Sequence, residues 1–380
     1  MINQEQISTN QFVWLLFIII TSVTVLQAPG ILMQTGSRDA WMSVVGGIIL
    51  DVLLAIAYAY MGLRFPKENF VQYSSTILGR WIGTIVGLMF PFLFLLTSVL
   101  VMRSFSMIIH TAFLPKTPLP IISITGYAVI AYGARKGIEV IARVSEILGP
   151  IYFISVIIIS LILLPSADIQ RIKPILENGF LPVIKGSSYI VTNYGICIIM
   201  AMFIPICNQP RNGFFAKFTA INLGGFLVGI IVVFSIMVFG YQQGVNKIAP
   251  SLSLLRVANL GTFFERFEIM WMLIAVGAAI IGSAQLIWAV SVGVSQTFGM
   301  NHYKPLVLSV CLISIVLGET SFHNQGLHAE FLQFTAPIVA FFIETILEVF
   351  LLIMALILKK GEKGHFKDIK LWPTQGQSKS

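Results

Sequence analysis

Long apolar stretches separated by short polar segments run from residue 12 to residue 358. A run of about 20 apolar residues with few charges predicts a transmembrane helix. Ten such spans are predicted, at 12–35, 40–63, 83–111, 119–133, 144–164, 182–206, 214–240, 267–297, 304–318 and 334–358. A polar stretch holding Asp168, Arg171, Lys173 and Glu177 divides them five and five. The fold class expected is an all-α polytopic membrane protein in two inverted five-helix repeats. Its parts are a cytoplasmic N-terminus (1–11), a first repeat (12–164), an extracytoplasmic connector (165–181), a second repeat (182–358) and a basic cytoplasmic tail (359–380).

The first helix of each half carries an interruption. Span one contains Thr21-Ser22-Val23-Thr24-Val25-Leu26-Gln27-Ala28-Pro29-Gly30, and span six contains Ser187-Ser188-Tyr189-Ile190-Val191-Thr192-Asn193-Tyr194-Gly195. Proline removes a backbone donor and crowds the preceding turn, and glycine tolerates unwinding. Broken helices within a membrane survive only where protein or a cavity supplies partners. Two in matching places point to a midplane ligand site of transporter type. Freed backbone groups and half-helix ends offer partial charges of both signs, which suits an amino acid. The candidate ligand contacts are Ser22, Val23, Thr24, Asn193, Tyr194 and Gly195 at the breaks. Spans three and eight should flank them with Leu93, Leu96 and Thr97, and with Ile281, Gly282, Ser283 and Gln285.

Composition agrees with the pattern. The chain is 57% hydrophobic and 11% charged, with a mean hydropathy of +0.89. A soluble domain carries about 25% charged residues, so the missing polar surface faces lipid. The net charge of +8 lies in loops and tail, with no basic stripe among aromatics, so it reads as a topology signal and not as a nucleic-acid interface. Counting Lys and Arg with the N-terminus inside gives fifteen inner charges (Lys217 among them) against eight outer ones. Both termini are therefore expected inside. Cys197, Cys207 and Cys311 have no metal-ligand spacing, and neither a metal nor a cofactor is expected.

Three acids fall at depth, Asp51 in span two and Glu344 and Glu348 in span ten. A buried acid costs roughly 2.5–3.5 kcal/mol on insertion scales. The two glutamates are four residues apart and should share a helix face. These three are the candidate ion or proton relay, with a polar seam as the plainer reading. Arg103 and His110 lie in the outer part of span three, where an arginine can snorkel. The stretch Val245–Arg256 reads as an amphipathic surface helix capping the outer vestibule. No HExxH, P-loop, GxSxG or dinucleotide motif is present, so an enzyme is not expected.

Several segments resemble one family, the B subunits of spore germinant receptors, also called spore germination permeases. They are Gly137-Ile-Glu139-Val-Ile-Ala-Arg143-Val-Ser-Glu146, Lys173-Pro174-Ile-Leu-Glu177-Asn-Gly179-Phe-Leu-Pro182, Leu78-Gly79-Arg80-Trp81-Ile-Gly83, Phe264-Glu265-Arg266-Phe267-Glu268, and the opening Ile7-Ser8-Thr-Asn-Gln11. The resemblance implies the fold of the amino acid–polyamine–organocation superfamily. It also implies a nutrient-sensing role in the spore inner membrane, with a membrane-embedded A subunit and a lipoprotein C subunit as partners. Many relatives place glycines upstream of the proline in the first break; here Ser22-Val23-Thr24 stands there, which should narrow the pocket and add hydroxyls. A cation- or proton-coupled amino-acid transporter acting alone is the alternative.

Overall fold

A computed structural model describes residues 5–247, 249–257 and 267–361. The tail lysines Lys363, Lys367, Lys370 and Lys379, and the Phe264-Glu265-Arg266 part of one family segment, lie outside the described residues. The described chain is helical apart from turns and one isolated bridge between Ile7 and Cys207.

Ten spans are formed. The first is split into Thr9–Thr24 and Ala28–Gly36. Ala40–Arg64, Arg80–Ala112, Leu119–Lys136 and Ile138–Leu163 complete the first five. The second five are Leu181–Ile206, Gly213–Phe239, Phe267–Thr297, Lys304–Ser321 and Gln325–Ile357. The third, fifth and tenth spans start earlier than the apolar pattern predicts. Their first turns hold polar residues such as Arg80, Glu139 and Gln325, so a hydropathy reading stops short of them. One helix of more than two turns was not foreseen: Phe70–Leu78, amphipathic, capped by Asn69, and packed along the third span.

The packing repeats when the halves are exchanged. The first span packs on the seventh as the second packs on the sixth. The fifth packs on the first as the tenth packs on the sixth, and the fourth on the eighth as the ninth on the third. The second meets the seventh, and the third meets the eighth. Five is odd, so the second repeat enters the membrane from the face opposite to the first. The result is two inverted five-helix repeats, with the first and sixth spans against the centre.

Candidate functional site

The first break is a turn at Val25-Leu26-Gln27, just ahead of Pro29. The hydroxyl residues before it stay helical. Ser22 Oγ donates to the Ile19 carbonyl at 2.8 Å and Thr24 Oγ1 to that of Ile20 at 2.7 Å. These hydroxyls bond their own helix, as intramembrane Ser and Thr commonly do. The loosened backbone therefore starts at Val25, later than the sequence suggests. Ser251 Oγ donates to the Val25 carbonyl at 3.0 Å. It comes from helix Pro250–Val257, read from the sequence as a surface cap. In the structure Pro250, Ser251, Leu252, Leu254 and Leu255 of that helix are buried, because it plugs the break.

The second break also begins late. Leu181–Tyr194 is a regular helix in which Ser187, Ser188, Thr192 and Asn193 bond to carbonyls four residues back. From Gly195 the chain tightens into a 3₁₀ segment, Gly195–Ile199, then one α turn, Met200–Phe203, and a second 3₁₀ turn, Ile204–Ile206. Glycine at the start leaves room for Glu344: a Cβ there would sit 2.3 Å from Glu344 Oε2, so that side chain would have to move.

Between the breaks lies a cavity of about 60 Å³. One water needs roughly 10–15 Å³ by this measure, so it suits a few waters or a solute of few atoms. The first span contributes Ser22, Val23 and Gln27, the third Leu93, Leu96, Thr97 and Ser104, and the sixth Thr192, Asn193 and Ile196. The tenth closes the wall with Leu332, Ala336, Ala340 and Glu344.

Of the candidate contacts, Ser22, Val23, Leu93, Thr97 and Asn193 line this cavity, and Thr24, Tyr194, Gly195, Ile281, Gly282 and Ser283 do not. Gly282 lets the eighth span close on Ser22, whose Oγ lies 2.5 Å from where a Cβ would be. Tyr194 is fully buried beside Gly225 of the seventh span, with no partner for its hydroxyl. Thr24, Ser283 and Gln285 are buried behind the wall, and Ile281 packs on the core.

The sequence reading missed Gln27, Ser104 and the wall from the tenth span. One signal was available, Pro337, which lacks an N–H and crowds the carbonyl four residues back. A π-helical segment, Phe331–Thr335, sits just before it. A second, Phe342–Leu347, carries Glu344 and has no proline to explain it.

The acids at depth are all buried, and each has different surroundings. Asp51 Oδ1 pairs with Lys217 Nζ at 3.2 Å, both side chains fully buried. Lys217, counted with the inner charges although it falls within the predicted span 214–240, is buried inside the seventh span, so fourteen inner charges remain against eight. Its ammonium also rests over the Tyr58 ring, 3.9 Å from the centroid. Tyr58 donates its hydroxyl to the Glu344 carbonyl at 2.9 Å. Tyr73 donates to both oxygens of Glu348 at 3.0 Å. Asp51 Oδ2 and Glu344 Oε2 have no hydrogen-bond partner. Glu344 lies within the π segment and Glu348 is the first residue after it, and both are buried. Arg103 does not snorkel: it is buried, pairs with Glu319 at 2.7 Å and donates to the Phe322 carbonyl. His110 Nδ1 is bonded to the Thr117 carbonyl at 3.0 Å.

Beyond the cavity lies a vestibule of about 330 Å³ that shares Gln27, Ser104 and Leu332 with it. Gln27 Nε2 donates to Ser104 Oγ, which is also bonded to His328 Nε2 at 2.7 Å. This chain of side chains forms the partition. No cluster of three or more metal-ligating side chains occurs among the described residues.

A family model described as "Spore germination protein" matches residues 6–325. "Spore germination protein YndE" of Bacillus subtilis (strain 168) is 29% identical over 339 residues, covering 87% of this chain and 90% of the relative. "Spore germination protein KB" of the same organism is 25% identical over 378 residues, covering 97% and 99%. Among solved structures, Mhp1, a nucleobase-cation-symport-1 family transporter, is similar in its closed conformation with bromovinylhydantoin bound. Its TM-score is 0.69 at 15% identity, covering 86% of this chain and 74% of that one. MhsT in complex with L-phenylalanine gives 0.69 at 13% identity, covering 93% and 89%. At such identities the likeness is one of fold.

Proposed function

Since the chain belongs to the spore germination protein family, we propose that it is the nutrient-sensing, transporter-like subunit of a spore germinant receptor. It binds a small polar nutrient, an amino acid or similar solute, in the cavity between the two breaks. It then signals to A and C partner subunits in the spore inner membrane, with both termini on the cytoplasmic side. The observation that carries this reading is the make-up of the cavity wall. The first and third spans come from one repeat and the sixth and tenth from the other, so an occupant touches both halves. A ligand shifts a conformational equilibrium only through different affinity for the two states. A site shared between two bodies supplies that difference whenever the bodies move. The test is deletion: spores lacking the protein should form normally and ignore one nutrient. An unchanged response to every nutrient removes the reading.

A cation- or proton-coupled transporter acting alone is the second reading. The buried Asp51, Glu344 and Glu348 favour it, as do solved neighbours that are transporters. Uptake of labelled solute into liposomes by the purified protein alone would support it; a need for partner subunits would count against it.

A further inference from the structure

Glu344 is the one ionisable side chain among the described residues lining the cavity. It is 1% exposed, and its Oε2 is sealed from solvent with no hydrogen-bond partner. A charge held in a membrane interior needs a counter-charge or a proton. The neighbouring groups do not supply a full one. Lys217 is linked to Glu344 through Tyr58, whose ring lies under its ammonium and whose hydroxyl donates to the Glu344 carbonyl, and its direct contacts are Asp51 and that ring. Asp51 and Glu344 thus share a single ammonium, which leaves one negative charge in excess. Glu348 also lacks a counter-charge, and its two oxygens share the one hydrogen of the Tyr73 hydroxyl, but it does not line the cavity. Of these acids, Glu344 is the one that borders the cavity, where a ligand's charge can reach it.

The two ends of the path differ in charge. The cavity has an acid and no base, and the ionisable side chains of the vestibule are Lys247 and His328 with no acid. A solute with a cationic and an anionic end is therefore oriented before it arrives, with its cation leading. Asn193 and Thr97 on the cavity wall spend a side-chain donor on their own helices. The wall thus has little left with which to favour an uncharged polyol over water.

We propose that Glu344 is the counter-ion for the ammonium of a primary-amine ligand, and that this receptor is selective for small amines, amino acids above all, over sugars, nucleosides and hydroxy acids. The proposal rests on the cavity being the ligand site. The charge missing from the Asp51–Lys217–Glu344 group is the one the ligand brings. Gly195 ties that event to the second break, because Glu344 packs directly on the first residue of the 3₁₀ segment. Drawing the carboxylate toward an ammonium in the cavity relieves the contact that fixes the break.

The experiment is thermal shift on the purified full-length protein with the twenty L-amino acids, the matching 2-hydroxy acids, glucose, inosine, and sodium against choline chloride. At least one amino acid should raise the melting temperature while its hydroxy acid does not. Glu344→Gln should weaken that amino acid at least tenfold, and Glu344→Asp by less. Both variants are first checked for a single melting transition and a monodisperse elution profile. The assignment is overturned if no amine stabilises the protein, or if a hydroxy acid, glucose or inosine binds in place of one. It is also overturned by binding to Glu344→Gln within twofold of the parent, or by stabilisation from sodium alone that Glu344→Gln abolishes. In each case deletion spores decide the receptor reading separately, since lost response to a nutrient keeps that reading without the amine site.

Discussion

Lys217 and Asp51 show how much can hang on one contact inside the membrane. Each is fully buried, and the pair is linked at 3.2 Å. Removing one partner of a buried ion pair leaves the other uncompensated, which costs about 3–5 kcal/mol, whereas replacing both is often tolerated. Lys217→Met should therefore lower protein yield and melting temperature sharply. The double variant Lys217→Met with Asp51→Asn should recover most of the loss. Equal damage in single and double variants, read by thermal unfolding, would show that the pair is not what holds the second and seventh spans together. At the cavity the expectation is different. Thr97 lines the space, and its hydroxyl is bound to the Leu93 carbonyl at 2.9 Å. Thr97→Leu fills room that the cavity cannot spare. It should raise the nutrient concentration for half-maximal germination at unchanged protein level. Tyr194→Ala removes a fully buried ring away from that wall, so it should reduce the amount of folded protein by the usual cost of a large core truncation, about 3–5 kcal/mol. A pure dose-response shift for Tyr194→Ala, or none for Thr97→Leu, would redraw the wall.

At the scale of elements, the breaks matter more than the residues that announce them. Pro29 and Gly30 made the first break legible in the sequence and the polar run ending at Gly195 the second, and the five-plus-five division came from apolar length and the polar stretch at 168–177. The exact site of unwinding was not legible, because Ser, Thr and Asn can bond their own helix as readily as disturb it. Ser22, Thr24, Ser187 and Thr192 all do the former. The wall from the tenth span was hidden for a related reason: a π turn leaves the hydropathy of a segment unchanged while rotating the rest of the helix about its axis. Lys217 was misread because a cation near the end of an apolar run looks like a loop charge until its acid partner, 166 positions away in sequence, is seen. The contact between Gly195 and Glu344 gives this scale its test. Gly195→Ala places a methyl 2.3 Å from Glu344 Oε2 and 3.3 Å from its Cβ, so the Glu344 side chain must give way. Overpacking of this kind costs about 1–3 kcal/mol. Shortening the opposing side chain should return part of it, so Gly195→Ala with Glu344→Ser should melt above Gly195→Ala alone. A double variant that melts no higher would mean that the contact does not set the distance between the spans.

For the whole molecule, the two ends of the bundle are closed to different degrees. At the N-terminal end, the Ile7 N–H donates to the Ile206 carbonyl and the Asn208 N–H donates to that of Ile7, both at 3.0 Å. Glu5 accepts from the Ile138 N–H at 3.3 Å and the Tyr303 hydroxyl at 3.4 Å. The segment before the first span thus straps the end of the sixth to the starts of the fifth and ninth. Burial raises the Glu5 carboxyl above its usual 4.5, opposed by those hydrogen bonds. At the other end helix Pro250–Val257 covers the first break, and side chains alone part the cavity from the vestibule. Ser104 Oγ donates to the Leu100 carbonyl at 2.7 Å, which leaves it to accept from Gln27 and His328. Three groups meeting on one oxygen separate the cavity from a vestibule more than five times its size. If the cavity is the ligand site proposed above, the thin partition makes the vestibule the expected side of entry, although the strapped end also borders a cavity, of about 470 Å³. The native cysteines are buried, so a single Thr97→Cys reports on the cavity against a quiet background. A small cationic methanethiosulfonate added on the vestibule side should label it slowly. Ser104→Ala removes the shared oxygen and should speed that labelling at least threefold, and Glu5→Ala at the far end should not. Labelling that ignores Ser104→Ala and responds to Glu5→Ala would place the route at the opposite end and reverse the direction in which this molecule is read.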